Sequence, residues 1–166
     1  MDTQTTKPGE VAAAPQFDAD ALYIPPFRER RVIDPDTGRW SYEPLERNLA
    51  PSGVRLLDAY LRRLAAGGFY SSKAVAAELG TTTADLSVFC RLLTGRSSGE
   101  LFHRFMLRMA DDLLRYTDLT TGEVALRCGA NTAQNLSRVF RRERGFLPRM
   151  RRLELRREGD LGRFRP

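Results

Sequence analysis

The sequence predicts an all-α fold in which two helix-turn-helix units are joined by one long linker helix. The clearest observation is the segment 97–116, where a capping box of Ser97 and Glu100 precedes apolar residues spaced along one side of a helix. On each side of this segment the same layout occurs: a short helix, a tight turn with glycine, and a second helix. These two observations make the linker helix the element around which the chain is organised.

The first unit is predicted after Pro51, a residue that suits the first turn of a helix. Apolar residues at helical spacing then indicate one helix, and Ser71 or Ser72 caps the next, short helix. Gly80 closes that helix in a tight turn, and a second helix follows over residues 82–93. We therefore predict a helix-turn-helix before the linker helix.

The second unit repeats this layout after the linker helix. Thr120 and Glu123 form another capping box, which begins a short helix. After a glycine turn, Asn131 or Thr132 caps the second helix. A last helix follows, and we expect Leu153 to be its buried residue.

A mostly non-helical arm is predicted over residues 1–50, ahead of a helical domain over residues 51–158 and a frayed tail over residues 159–166. Residues 1–16 have the composition of a disordered tail. The turn signal of residues 34–38 separates two short apolar runs, which allows a small hairpin.

An isolated hairpin is marginal in water, so it must pack on something else. Residues 17–42 of the arm carry aromatic and aliphatic groups that a purely solvated linker would not need. One hypothesis is that residues 17–50 pack onto the helical domain, with Trp40 at least partly buried. The alternative is a flexible arm that is held for a partner.

Charge is distributed unevenly along the 166 residues. Residues 1–50 carry 6 basic and 9 acidic residues, a net charge of −3, whereas residues 51–166 carry 21 and 12, a net charge of +9. The densest basic stretch comprises Arg138, Arg141, Arg142, Arg144, Arg149, Arg151, Arg152, Arg156 and Arg157. Such a surface suits a polyanion such as nucleic acid, although a solvated face enriched in arginine is equally consistent with charge alone.

The two cysteines, Cys90 and Cys128, lack the spacing of metal ligands. We expect both to be small buried residues in a reducing cytoplasm. No apolar run approaches the length of a membrane span, and no basic segment followed by an apolar core marks a secretory signal. The expected location is cytoplasmic, with no membrane partner.

A longer series of residues appears in order and in register along the helical region. It comprises Val75, Ala76, Thr82, Leu86, Arg91, Gly95, Ser97, Leu107, Ala110, Leu113, Leu114, Glu123, Val124, Ala125, Gly129, Ser137, Arg138, Phe140, Arg141, Gly145, Pro148 and Arg152. This series resembles the DNA-binding region of the AraC/XylS family of transcription regulators, over roughly residues 54–153. The resemblance implies seven helices and two recognition helices in adjacent major-groove faces. It also implies that the arm has no room for the effector-binding barrel of many family members.

The chain diverges from the family pattern mainly in the second unit. Thr121, Ala130, Leu136 and Arg151 stand where family members usually carry larger apolar or aromatic residues, and Met106 replaces an arginine. Loss of a buried aromatic can cost about 3–5 kcal/mol. We therefore expect that part of residues 17–50 fills this space, or that the second unit is loosely packed.

The second recognition helix presents the more competent reading face. Its outward positions are Asn131, Thr132, Gln134, Asn135, Arg138 and Arg141 or Arg142. Amides can pair with adenine edges and arginine with guanine, so we favour base readout by Gln134 or Asn135. The alternative is that Asn131 and Thr132 only cap the helix, while Arg138 contacts phosphate.

The first recognition helix is predicted to read sequence less strongly. Its candidate DNA-binding residues are Thr83, Ser87, Arg91 and, on the preceding helix, Lys73. Arg91 and Lys73 would contact the backbone. Ala84 and Val88 could only contact a thymine methyl group.

Catalysis is not expected. Residues 95–99 match the G-x-S-x-G pattern of a hydrolase, but that motif requires a preceding strand and a distant histidine. Here the preceding segment is predicted helical, and the single histidine, His103, lies four residues beyond the motif. We expect no catalytic residue, no metal ligand and no cofactor.

The sequence therefore favours a sequence-specific DNA-binding transcription regulator. Its expected partner is double-stranded DNA, with RNA polymerase or a regulatory protein as a further partner. A linker helix over residues 98–116 would be about 28 Å long, which suits two units about one turn of DNA apart, roughly 34 Å. The alternative function is a protein-interaction adaptor, built on a degenerate AraC-type domain that no longer reads DNA.

Overall fold

The computed structural model of the protein describes residues 14–156 and 161–166. The tail expected to be disordered over residues 1–16 therefore lies largely outside the described residues. Within them, the chain forms seven α-helices: α1 (Arg55–Ala66), α2 (Ser72–Glu78), α3 (Thr83–Thr94), α4 (Ser98–Tyr116), α5 (Thr121–Arg127), α6 (Ala133–Arg144) and α7 (Pro148–Arg156). A single 3₁₀ turn over Asp20–Leu22 precedes them.

Three short strands form an antiparallel sheet beside the helices. They are β1 (Glu29–Ile33), β2 (Trp40–Pro44) and β3 (Phe164–Arg165), in the order β2-β1-β3. The hairpin expected in the arm is confirmed, because β1 pairs with β2 along its whole length. The Asp34 carboxylate closes its turn by accepting hydrogen bonds from the amides of Asp36 and Thr37 at 2.8 and 3.1 Å.

The third strand corrects the expectation of a frayed tail. The Arg28 amide donates a hydrogen bond to the Arg165 carbonyl at 2.7 Å, and the Arg31 amide donates to the Arg163 carbonyl at 2.8 Å. The Phe164 ring stacks on Phe27 with centroids 5.3 Å apart. An aromatic contact and backbone pairing together order a segment whose local sequence shows no periodicity.

The start of α1 also differs from the prediction. Pro51 lies four residues before the first helical residue, Arg55, rather than in the first turn. The Asp58 carboxylate accepts hydrogen bonds from the Ser52 amide and hydroxyl at 2.9 and 2.7 Å. These bonds fold residues 52–54 back over the helix start, where no side chain caps the first turn.

The starts of α2, α4, α5 and α6 carry the caps that the sequence predicts. Ser71 caps α2 and Thr132 caps α6, which settles the two positions that the sequence leaves open. Both capping boxes are present, with Ser97 and Glu100 at α4 and with Thr120 at α5. The Ser97 amide and hydroxyl donate hydrogen bonds to the carboxylate of Glu100 and lower its pKa, which favours its charged form at the positive end of the helix.

Two apolar cores lie along α4, one at its first turns and one at its later turns. The first is built from α1, α2 and α3 and receives Leu101 and Phe105 from α4. The second is built from α5, α6 and α7 and receives six residues from the later turns of α4, which are Met106, Leu107, Met109, Ala110, Leu113 and Leu114. One helix therefore holds both helix pairs, as the amphipathic pattern predicts.

The arm packs on both cores, but not through Trp40. Leu22 and Ile24 are buried in the first core, and Phe27 is buried in the second. Trp40 is 60% exposed and contacts only the edge of Tyr42 among the ring pairs found in the described residues. The expectation of a packed arm is therefore confirmed, whereas the expected burial of Trp40 is wrong, because the hairpin stands outside the cores.

The second core is filled despite its smaller residues. Ala130 and Leu136 are fully buried, and Phe27 and Phe164 contribute the aromatic volume. On α7 the expected buried residue, Leu153, is 56% exposed.

Leu155 is buried in its place, at 7% exposure. The face of α7 that carries it also carries Arg151, whose guanidinium pairs with Asp111 on α4. This ion pair turns that face inward, so Leu155 reaches the core and Leu153 faces solvent.

Cys90 and Cys128 are both buried with free thiols, as expected. Burial raises the pKa of the Cys90 thiol to about 12 and that of Cys128 to about 11, so both remain protonated at neutral pH. In the part of the chain that the structure describes, no helix combines the length and the apolarity that a membrane crossing requires.

Candidate nucleic-acid interface

Two helix pairs of the same design are mounted on α4. In the first, α2 leads through a turn into α3, and in the second, α5 leads through a turn into α6. Both α3 and α6 have 12 residues, begin at a threonine cap, Thr82 or Thr132, and end at a left-handed glycine, Gly95 or Gly145. The two helices that could enter DNA grooves are therefore equal in length, and both are held by the single linker helix α4, which serves as one rod.

A polar and aromatic junction connects the two pairs. The Asn131 side chain accepts a hydrogen bond from the Tyr70 amide at 3.0 Å and donates one to the Tyr70 carbonyl at 3.1 Å. The Tyr70 ring stacks on Phe102 of α4, with centroids 3.6 Å apart. This junction, formed by Tyr70, Phe102 and Asn131, fixes the start of α6 against the loop that precedes α2.

The end of α1 meets the end of α5 in the same region. Gly67 has a φ of +69°, and a Cβ atom there would lie 2.0 Å from the carbonyl oxygen of Arg127. Only glycine allows this approach of two backbones. The spacing between the two helix pairs is therefore set by main-chain contact as well as by α4.

The outward face of α6 carries hydrogen-bonding side chains that are open to solvent. Gln134 and Arg138 are exposed, and the Asn135 amide is half-buried. Asn135 donates to the Ala130 carbonyl at 2.9 Å and accepts from the Arg138 guanidinium at 2.7 Å. Gln134 is thus the amide that is free to approach a base edge, while Asn135 orients Arg138.

Asn131 and Thr132 have internal roles in the structure. Both amide atoms of Asn131 are engaged by Tyr70, and its φ of 68° is left-handed, a conformation that asparagine tolerates better than most residues. The hydroxyl of Thr132 accepts the amide hydrogen of Asn135 at 3.1 Å. Asn131 and Thr132 therefore position α6, and their side chains are used inside the protein rather than for reading base edges.

The basic residues near the end of α6 differ in their availability. Arg141 is exposed and forms no ion pair within the described residues. Arg142 pairs with Glu143 at 2.7 Å and lies 3.1 Å from a ring nitrogen of His103. The Arg142 guanidinium lowers the pKa of Glu143 and so keeps that carboxylate charged. Arg141 is the better placed of the two for a phosphate.

The corresponding face of α3 is mostly apolar or already paired. Thr83 is exposed and Ser87 is half-buried, while Lys73 is exposed on α2. The Arg91 guanidinium lies 3.9 Å from the Glu100 carboxylate, an exposed and weak pair. Val88 and Leu92, one turn apart, are 60% and 74% exposed.

Several arginines of the basic C-terminal quarter are used inside the protein. The Arg151 guanidinium donates to Asp111 at 2.9 Å, Arg152 donates to the Leu119 carbonyl, and Arg156 donates to the Thr117 carbonyl at 2.7 Å. These bonds fix α7 against α4 and the loop after it. Because these three arginines are hydrogen-bonded inside the protein, the count of basic residues in the sequence overstates the charge available to a polyanion.

The serine motif is a pair of helix caps. Gly95 ends α3 in a left-handed conformation, and Ser97 caps α4. The single histidine, His103, lies 3.4 Å from the Glu143 carboxylate. Within residues 14–156 and 161–166, no cluster of three or more His, Cys, Asp or Glu residues could hold a metal ion.

One family model matches part of the helical region. Residues 75–153, from within α2 to within α7, match the family model described as a helix-turn-helix domain, which belongs to DNA-binding regulators rather than to an enzyme family. The match supports an AraC-like DNA-binding domain over these residues. Searches of the curated proteins and of the solved structures found no match.

Proposed function

We propose that this protein is a sequence-specific transcription regulator that places α3 and α6 in adjacent major-groove faces of double-stranded DNA. The observation that carries the proposal is the pair of equal, identically capped helices on a single 19-residue rod. A rod of that length spans about 28 Å, close to the roughly 34 Å of one DNA turn. The helical domain over residues 51–158 is the part that engages DNA.

The two helices contribute differently in this proposal. Gln134 and Arg138 on α6 read base edges, and Arg141 contacts phosphate. On α3, Thr83, Ser87 and Arg91 contact the backbone together with Lys73 of α2. Asn131, Thr132 and Asn135 act by positioning α6 and Arg138.

Salt dependence of binding tests the proposal. The full-length protein is titrated onto a labelled genomic duplex and onto a random duplex of equal length, with fluorescence anisotropy as the readout. Neutralisation of several phosphates predicts that affinity falls on the order of 10³-fold between 50 and 200 mM salt. A response that is flat with salt, or equal affinity for all genomic fragments and the random duplex, would reject sequence-specific binding.

A second candidate function is favoured by the exposed apolar residues of α3. Val88 and Leu92 form an open apolar stripe on the helix that should be a DNA reader. In the adaptor function, this stripe docks on a protein such as RNA polymerase or another regulatory protein, and DNA is not read. Val88→Ser with Leu92→Ser would abolish partner capture in that case and leave DNA affinity unchanged.

A further inference from the structure

A cleft lined by four arginines lies between the arm and the helical domain. Its volume is about 440 Å³, and the arginines are Arg28 and Arg47 of the arm, Arg62 of α1 and Arg127 of α5. Its apolar walls include Leu49 and Met109. This volume lies within the range of small-molecule sites, which is about 300–1,000 Å³.

The side chains that line the cleft carry charge of one sign. Among the described residues no Asp or Glu side chain lines it, and none of its four arginines forms an ion pair within 4 Å, although Pro166 also lines it and Arg62 donates a hydrogen bond to the Leu49 carbonyl at 3.0 Å. Elsewhere the chain pairs arginines readily, as at Arg104 with Asp20 and at Arg151 with Asp111. Four like charges from three separate parts of the chain repel one another unless an anion lies between them.

Arg47 is the most informative of the four. Its Nε atom is buried without a hydrogen-bond partner in the described structure. Burial and the neighbouring charge of Arg28 lower the pKa of its guanidinium. A buried donor without a partner costs free energy, and a bound anion that accepts its hydrogen bond removes that cost.

The position of the cleft distinguishes it from the reading face. It is recessed between the arm, α1 and the end of α5, whereas Gln134 and Arg138 project from α6. A duplex backbone is convex and is contacted by projecting side chains. A recess with a half-buried guanidinium suits a small molecule that can enter it.

We propose that this cleft binds a small phosphate-bearing anion of at least two negative charges, which joins the arm to α1 and α5. The planar guanidinium donates paired hydrogen bonds that match phosphate oxygens. Leu49 and Met109 would contact an apolar part of the same ligand. The bound anion thereby stabilises the packed arm.

Calorimetric titration and thermal melting of the full-length protein test the proposal, with inorganic pyrophosphate as the probe at constant ionic strength. At a concentration 100-fold above its dissociation constant, pyrophosphate should raise the melting temperature by roughly 5–10 °C. Sodium chloride of equal ionic strength should not. Arg47→Met and Arg127→Met should each weaken pyrophosphate binding about 10-fold or more.

Arg39→Met is the matched control, because Arg39 is an exposed arginine of the hairpin turn outside the cleft. It should bind pyrophosphate as the unchanged protein does. Equal losses of pyrophosphate affinity in Arg39→Met and Arg127→Met would overturn the proposal. The absence of a heat of binding with pyrophosphate would also overturn it. Arg127 is exposed, so its substitution keeps the test valid if Arg47→Met folds poorly.

Two further binding experiments identify the anion. Tighter binding of succinate than of pyrophosphate would overturn the phosphate assignment in favour of a carboxylate ligand. Displacement of pyrophosphate by a short duplex, with a weaker salt dependence of duplex binding in Arg47→Met, would assign the cleft to the DNA backbone instead. Independence of pyrophosphate and duplex binding supports the small-molecule site.

Discussion

The two helix pairs share a frame and differ in the chemistry of their outward faces. Both α3 and α6 have a threonine cap, a glycine end and a buried inner face. Outward, α3 presents Val88 and Leu92, whereas α6 presents Gln134, Arg138 and Arg141. The caps and core residues fix the backbone of both helix pairs. Substitutions at the outward positions can therefore occur without loss of stability.

The halves of the domain that contain the first and second cores also differ in the arm residues that pack against them. The first core receives the aliphatic residues Leu22 and Ile24, whereas the second receives the aromatic ring of Phe27. In the second core the small residue Ala130 lies in the same cluster as the Phe27 ring, so we expect this core to depend on the arm for aromatic volume. This asymmetry leads to the predictions that follow.

Removal of the Phe27 ring should give the largest effect. Phe27→Ala leaves a cavity between α4 and β3 and should lower the free energy of unfolding by about 3–5 kcal/mol, measured by urea denaturation. Leu22→Ala should cost about 2–5 kcal/mol through the first core. Trp40→Ala, at an exposed position, should stay within about 0.5 kcal/mol. A smaller loss for Phe27→Ala than for Trp40→Ala would show that the second half does not depend on the arm.

Substitutions on the two candidate reading helices should separate specificity from affinity. Gln134→Ala and Arg138→Ala should each cost about 1–3 kcal/mol on the preferred duplex and little on random DNA. Arg91→Ala should weaken both duplexes alike. Anisotropy titrations of the three variants on both duplexes measure this difference, and equal effects on both duplexes for all three would remove the distinction between α3 and α6.

The contact between the arm and the second half of α4 should depend on pH. The Tyr23 hydroxyl donates to the Asp112 carboxylate at 2.7 Å, and burial raises the pKa of Asp112. Because the folded pKa exceeds the unfolded value, this group favours folding below about pH 4 and loses that contribution as pH rises through the raised pKa. Asp112→Asn should remove this decline from the stability-versus-pH curve. An unchanged curve would show that the carboxylate is not desolvated in solution.

The contact between the arm and the first half of α4 should show the opposite sign and the smallest effect. The Arg104 guanidinium hydrogen-bonds the Asp20 carboxylate and lowers its pKa. Asp20 therefore contributes stability above its unfolded pKa, and the contribution is lost as pH falls through the lowered folded value. Both groups are largely exposed, so Asp20→Asn should cost only about 0.2–1 kcal/mol at pH 7. Thermal melts of both proteins should converge at low pH, and a constant difference would contradict the assignment.

The sequence alone predicts the features that are local in the chain. Capping boxes, the apolar stripe of α4 and the turn of the hairpin each depend on residues a few positions apart, so their spacing is sufficient evidence. The fold class and the two helix pairs follow from these features.

Features that depend on distant partners could not be predicted in this way. The Asn131 side chain hydrogen-bonds the backbone of Tyr70, and the Arg151 guanidinium hydrogen-bonds the Asp111 carboxylate. The exposure of Trp40 depends on where the hairpin lies. These long-range contacts cannot be predicted from the helical spacing of apolar residues or from the density of charge along the sequence. For the same reason, residues grouped by sequence as one basic surface separate into solvent-facing and internally bonded arginines.

The pairing of β1 with β3 has a consequence for the order of folding. Glu29 pairs with Arg165, so this contact closes a loop of roughly 135 residues, and the entropy of closure must be offset by contacts formed beforehand. The helices around α4 have mainly local contacts and should assemble first. We expect the sheet to form last and to open first, so the Arg28 and Arg31 amides should exchange with deuterium well before those of Leu113 and Leu114.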